Sequence, residues 1–254
     1  MANPAVPDRD EVLVEVITDV DDFPEAFRCI SEAFGTQTHD AIWGAFNPGW
    51  DTPEGQAAGV ERMVQRWRSI PNDNKGNPHT IFLKATLPDP SQPSRRVIVA
   101  VAIWAQVTAV EGHGSIASSG LDSATELESR YPGDETEQRF LAQVWRSLVK
   151  RRLELVAAKA TADPPCVMAL DSCSTHPAFQ RRGAASKLVQ WGLDEGRRRG
   201  IPDAVTEASS MGRHVYARLG FQAQGPDVPY EVDEEFLGRE LPPNVFMLYS
   251  RGSE

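Results

Sequence analysis

The run Thr175 to Lys187, T-H-P-A-F-Q-R-R-G-A-A-S-K, joins a strand-like segment to a helix that opens on three residues with almost no side chain. The first N–H groups of a helix lack internal carbonyl partners, and the aligned peptide dipoles add partial positive charge there. Gly183, Ala184 and Ala185 leave those amides open to a phosphate, Arg181, Arg182 and Lys187 bring mobile positive charge, and Ser186 brings a hydroxyl. Leu188, Val189, Gly192 and Leu193 then share one helical face, Arg197 to Arg199 suit the negative end, and Gly200 with Pro202 stops the helix. Two readings compete at this point: a polyphosphate cradle, or a loop with solvated arginines feeding an ordinary amphipathic helix.

The next stretch, I-P-D-A-V-T-E-A-S-S-M-G-R-H-V-Y-A-R-L-G-F, predicts a short strand over Ala204 to Glu207 and a helix from Ser209 to Leu219. Gly220 ends that helix and Phe221 begins a strand. Together the two segments resemble the GNAT superfamily of acyl-CoA-dependent N-acetyltransferases. The family's Gln/Arg-x-x-Gly-x-Gly/Ala pattern maps onto Gln180, Gly183 and Ala185, and its Tyr before a Gly-Phe pair onto Tyr216, Gly220 and Phe221. L-D-S-C-S-T-H-P, Leu170 to Pro177, stands where the family has the strand along the pantetheine arm. The resemblance covers residues 166 to 225. Ala184 and Ala185 replace the more usual Ile-Gly, and Cys173 and Thr175 stand where larger aliphatic residues are common.

The resemblance implies one α/β (α+β) domain over residues 1–254, with a central mixed, mostly antiparallel sheet of six to seven strands flanked by helices. Residues 108–165 would form a loop and long helix inserted between the third and fourth strands, and residues 166–225 the acyl-CoA-binding and catalytic core. Acetyl-CoA is the implied co-substrate, with no metal. Gln180, Arg181, Arg182, Gly183, Ala184, Ala185 and Ser186 would hold the pyrophosphate. Cys173, Ser174 and Thr175 would line the pantetheine, with the Cys173 and Ser174 amides polarising the thioester where the fourth and fifth strands splay.

Acetyl transfer to an amine also needs a base for the ammonium and a proton for the leaving thiolate. Asp171 and Glu207, on the strands that flank the family's cleft, are the candidate bases, with Glu207 preferred; substrate orientation or a local hydrogen bond is the competing role for either. Tyr216, with an intrinsic pKa near 10, is the candidate acid, against a plain core tyrosine beside the Gly-Phe turn. His176, held extended before Pro177, reads as structural, and His214 as facing solvent.

Elsewhere the pattern predicts a strand over Val12 to Ile17 and a helix with Phe23, Phe27, Ile30 and Phe34, capped by Asp21 or Asp22 and stopped by Gly35. An aromatic, turn-rich stretch offers Trp43, Phe46 and Trp50 as a wall of the acceptor pocket or as core. A helix with Val60, Met63, Val64 and Trp67 follows, then strands Thr80 to Leu87 and Arg96 to Val107 around a turn through Pro88, Pro90 and Pro93. Glu111 to Ser129 reads as a mobile loop. Asp134 and Glu137 stand in capping-box spacing ahead of Phe140, Leu141, Val144, Trp145, Leu148, Val149 and Leu153, a long helix ended by Pro164 and Pro165. A last strand spans Val245 to Tyr249.

A net charge of −10 without a basic run leaves nucleic-acid binding no electrostatic footprint. Cys29, Cys166 and Cys173 lack CxxC spacing and read as packing residues. The first residues show no secretory signal pattern and no apolar run reaches membrane-spanning length, so a cytoplasmic protein is expected. G-H-G-S at Gly112 to Ser115 is not a nucleophile elbow, and no P-loop occurs. The expected function is acetyl transfer to a primary amine of a small molecule by direct attack in a ternary complex. An acyl-CoA sensor or scaffold, or transfer to a peptide or protein N-terminus, remains open. The acidic balance points weakly to a cationic acceptor such as a polyamine or aminosugar, and a homodimer is possible.

Overall fold

The computed structural model describes residues 12–89, 91–92, 94–117 and 124–250. Strand β1 (Leu13–Val16) is followed by helix α1 (Phe23–Ser31), which places Phe23, Ala26, Phe27 and Ile30 against the sheet. Gly35 does not stop this helix. The chain continues as a wider π turn through Glu32–Gln37, and the Trp50 ring covers Gly35 where a side chain would otherwise stand. Asp19, rather than Asp21 or Asp22, supplies the side-chain cap, to the Asp21 amide of the 3-10 turn before α1. The aromatic stretch holds a short helix, α2 (Ala41–Phe46), because Asp40 caps the Trp43 amide at 2.9 Å.

Helix α3 (Pro53–Arg68) leads into strands β2 (Thr80–Pro88) and β3 (Arg96–Thr108), paired antiparallel as expected. The tip of that hairpin at Pro90 and Pro93 lies outside the described residues. So do residues 118–123 of the expected loop, whose flanks are ordered as β4 (Ser115–Ile116) and α4 (Ala124–Arg130). Helix α5 (Glu135–Ala158) starts at the predicted cap, where Asp134 accepts the Glu137 amide at 3.0 Å. It ends at Ala158, six residues before Pro164, because the turn Lys159 to Asp163 returns the chain to the sheet.

Strand β5 (Cys166–Thr175) feeds helix α6 (Ala184–Arg198), and β6 (Asp203–Ala208) feeds α7 (Gly212–Arg218). Strands β7 (Gln222–Asp227) and β8 (Val245–Ser250) complete a sheet ordered β1-β2-β3-β5-β6-β8-β7, with β4 beside β3. The expected mixed, mostly antiparallel sheet is observed, with β4 as an eighth strand; only β5 with β6 and β3 with β4 run parallel.

The sheet separates two packing faces. On one, α6 and Tyr216 of α7 pack with Trp104, Met168 and Leu170, and the Trp104 indole donates to the Leu188 carbonyl at 3.3 Å. On the other, α1 and α3 pack on Phe82 and Ile103, while Val156 of α5 packs on Val167, Ala169 and Val205. Burial of a side chain such as Leu188 contributes about 1.5–3 kcal/mol, so this face holds the start of α6 in place.

Candidate active site

Strands β5 and β6 pair only at Met168 with Ala204 and Ala169 with Val205, and beyond that they part. Past this point the β5 edge toward β6 has no strand partner among the described residues, although the Thr206 hydroxyl donates to the Leu170 carbonyl at 3.1 Å. The expected splay is therefore present. A bulge sets it apart further: Ile103 pairs with Ser172 and Trp104 with Leu170, so Asp171 is the extra residue. Bulges re-aim side chains. Asp171 and Ser172 line an open cleft, whereas Cys173 packs in the core with α6 and Tyr216.

The turn after β5 has the form of an anion cradle. Arg181 and Gly183 both adopt left-handed backbone, at φ 63° and 84°, and Gly183 caps α6 with no side-chain hydrogen bond. A Cβ at Gly183 would meet nothing within 4 Å, so the space in front of the first α6 amides is open. Arg182 lies over the Phe179 ring at 5.8 Å. Gln180 forms a reciprocal pair with Gln37 at 2.7 and 3.2 Å, which ties the π turn to the cradle. Lys187 differs from expectation: its ammonium donates to the Val12 carbonyl at 2.8 Å and helps pin the chain ahead of β1 to α6. His176 is structural, its Nδ1 accepting the Ala178 amide at 3.2 Å, and His214 is exposed.

Tyr216 is 6 % exposed and packs in the core with Cys173 beside it. Burial, reinforced by Cys173, raises the Tyr216 pKa well above its ordinary 10, so the phenol keeps its proton. Burial likewise pushes the Cys173 thiol up to about 12, against the opposing pull of Tyr216. The Ser174 hydroxyl is buried without a hydrogen-bond partner among the described residues, and Thr175 is half-buried beside it.

The cleft has a volume of about 830 Å³. Ile103, Ala105 and Val107 form its floor, α3 one wall, and α5 the other. Trp43 and Phe46 line it, and Phe46 meets Trp145 edge-on at 5.9 Å. Trp50 does not line it; it stands behind Trp43, ring centroids 5.6 Å apart.

The two candidate carboxylates are joined by a residue that the sequence reading passed over. Arg152 bonds Glu207 through Nε to Oε1 at 3.1 Å and through Nη2 to Oε2, and bonds Asp171 through Nη1 to Oδ1 at 2.8 Å. Arg66 holds the other Asp171 oxygen at 2.7 Å. Burial would lift the Asp171 carboxyl, but Arg152 and Arg66 hold it below the usual carboxylate range. At Glu207 burial wins over the pull of Arg152, and the pKa is raised. A signal for Arg152 does exist in the sequence: with Val149 and Val156 it falls at i, i+3 and i+7, on the apolar face of α5.

The sheet parts beside a glycine-capped helix start, with a buried tyrosine on one face and an aromatic cleft on the other. Residues 125–221 match the model of the acetyltransferase (GNAT) family. No curated protein matches the chain. Among solved structures, arylalkylamine N-acetyltransferase 2 from Aedes aegypti superposes with a TM-score of 0.58 at 15% identity, over 94% of this chain and 99% of that one. The Drosophila melanogaster polyamine N-acetyltransferase, described as forming N-acetylagmatine, gives 0.53 at 14% identity, over 94% and 97%. An agmatine N-acetyltransferase gives 0.55 at 14%, over the same shares. At these identities the likeness is one of fold. Among the described residues no helix is long and apolar enough to cross a membrane, and no group of three or more His, Cys, Asp or Glu side chains is arranged to hold a metal ion.

Proposed function

We propose that the protein transfers the acetyl group of acetyl-CoA to the primary amine of a small molecule, by direct attack with both bound. The observation that carries this reading is the placement of a protonated, buried Tyr216 behind β5 and of an open aromatic cleft in front of it, at the level where β5 leaves β6. A cleft of this size suits a small molecule.

The residues present fit coenzyme A. The open space at Gly183 and the free amides of α6 suit the pyrophosphate, with Gln180, Arg181, Arg182, Ala184, Ala185 and Ser186 around it. The orphaned Ser174 hydroxyl and the unpaired edge of Cys173 to Thr175 suit the pantetheine amides. When bound, acetyl-CoA supplies the acetyl thioester and its thiol leaving group.

Tyr216 then holds the proton that the departing sulfur needs, and its raised pKa keeps that proton in place until charge develops. Of Asp171 and Glu207, only Asp171 lines the cleft, so it meets the acceptor ammonium and takes its proton, directly or through water. Glu207 acts behind it: its charge holds Arg152, and Arg152 holds Asp171. The amine forms its bond to the acetyl carbon as the carbon–sulfur bond breaks.

The test is incubation with acetyl-CoA and a panel of primary amines, following free thiol and the thermal stabilisation given by CoA. Acceptor-dependent thiol release supports the reading. Stabilisation without release points to an acyl-CoA-binding sensor, and the absence of any stabilisation overturns the placement of the cofactor.

A further inference from the structure

Six charged side chains line the cleft: Arg62, Arg66, Arg130 and Arg152, against Glu126 and Asp171. Their pairing is uneven. Arg130 takes Glu126 at 3.4 Å, Arg66 and Arg152 share Asp171, and Arg152 also takes Glu207. Arg62 makes no ion pair among the described residues; its guanidinium donates to the Asn47 side-chain oxygen at 3.2 Å. It is half-buried, and burial together with the repulsion of Arg130 lowers its pKa against the weaker pull of Glu126, which Arg130 already pairs. A guanidinium drawn partly out of water beside another cation, with the nearby carboxylate engaged elsewhere, favours an anion next to it.

The geometry of α3 says where that anion would sit. Arg62 and Arg66 are four residues apart, on one face of the helix and one turn from each other. Arg66 touches Asp171, the carboxylate that meets the ammonium in the reading above. A molecule with its amine at Asp171 therefore passes Arg62 within the same cleft, and its apolar body lies among Trp43, Phe46 and Trp145.

We infer that the acceptor is an amine that also bears a carboxylate, and that Arg62 is the residue that selects it. This inference rests on the acetyl-transfer reading. It runs against the overall charge of −10, but surface charges more than about 8 Å away are screened at physiological salt, so the cleft's own arginines dominate there. It also sets this cleft apart from the agmatine and polyamine acceptors named for proteins that share only its fold.

Phenylalanine and phenethylamine form a matched pair, with the same ring and amine and with or without the carboxylate. The aliphatic probe is 4-aminobutyrate, and agmatine is the cationic one. Each is tested on the full chain by calorimetric titration with CoA present and by thiol release from acetyl-CoA. Phenylalanine should exceed phenethylamine, which lacks the carboxylate, by about tenfold or more in affinity and in kcat/KM, as expected for one charge-assisted contact. Arg62→Gln should bring that ratio close to one, mainly through KM. Asn47→Asp supplies Arg62 with an internal counter-charge and should erode the preference in the same way, which keeps the test alive if the first variant fails to fold. Equal or better binding of phenethylamine or agmatine overturns the inference, as does an Arg62→Gln effect that weakens both members of the pair alike, or no binding of either carboxylated probe. Tight, Arg62-dependent binding of a carboxylated probe without thiol release supports carboxylate recognition by Arg62 and counts against the acetyl-transfer reading.

Discussion

Arg152 grips Glu207 through two nitrogens and reaches Asp171 with the third, so one guanidinium ties α5 to β5 and β6 at the level where those strands separate. The Arg152 and Glu207 side chains are only 10% and 6% exposed. A cation so placed neutralises two carboxylates that would otherwise repel one another beside the cleft.

Removing that cation alone should be costly. Arg152→Met leaves Glu207 buried without a partner, and the loss expected is about 3–5 kcal/mol in urea unfolding. Adding Glu207→Leu to the same chain should restore most of it, since the uncompensated charge goes too. A single variant within about 0.5 kcal/mol of the parent would show that the pair does not hold this region together.

Tyr216→Phe keeps the buried ring and removes only the hydroxyl. Turnover should fall by about 10²-fold or more while CoA affinity changes by less than about threefold, as expected for a general acid. Comparable losses in both quantities would take Tyr216 out of the acid role. Its pKa lies well above 10, so any basic limb of the native rate profile below pH 9 should persist in acceptors of different amine pKa only as the acceptor dictates.

Two changes at Gly183 separate strain from charge. The position has φ 84° and open space, so Gly183→Ala should cost about 1–2 kcal/mol of stability through the left-handed backbone. Gly183→Glu adds a negative charge in front of the α6 amides, and CoA binding by calorimetry should be lost. Retained affinity in the glutamate variant would move the pyrophosphate elsewhere.

Alkaline pH should unfold the protein through its thiols. Burial raises Cys29 and Cys173 to about 12 and Cys166 to about 11, from an ordinary 9.0. Below pH 9 these groups are protonated whether the chain is folded or not, and their contribution is fully present. Between pH 9 and 12 the unfolded chain releases protons that the folded chain keeps, so stability falls by up to about 1.4 kcal/mol per pH unit for each thiol. Urea midpoints should drop between pH 8 and pH 10.5, and Cys29→Ala should flatten that fall by one thiol's share. A native midpoint independent of pH across this range would contradict the burial of these groups.

Much of the fold is legible along the chain because its signals are local. Asp134 caps α5 through an amide three residues on, and Gly183 opens α6 because only the residues beside it decide whether φ can be positive. Gly35 reads as a stop by the same local logic, yet the chain winds on through it as a π turn, since Trp50 packs over it from fifteen residues away. The helix α2 is hidden among aromatic residues for a related reason: one cap at Asp40 outweighs a turn-rich composition.

What the sequence determines by itself is a strand, a turn and a helix start within thirteen residues, and a tyrosine at a set distance before Gly220 and Phe221. Their geometry depends on backbone amides and neighbours in the chain. The tertiary structure alone decides the charge of the cleft. Arg62, Arg66, Arg130 and Arg152 lie on three helices and meet Asp171 and Glu207 only once the sheet has closed, because Coulomb attraction and desolvation depend on distance in space and not on separation along the chain.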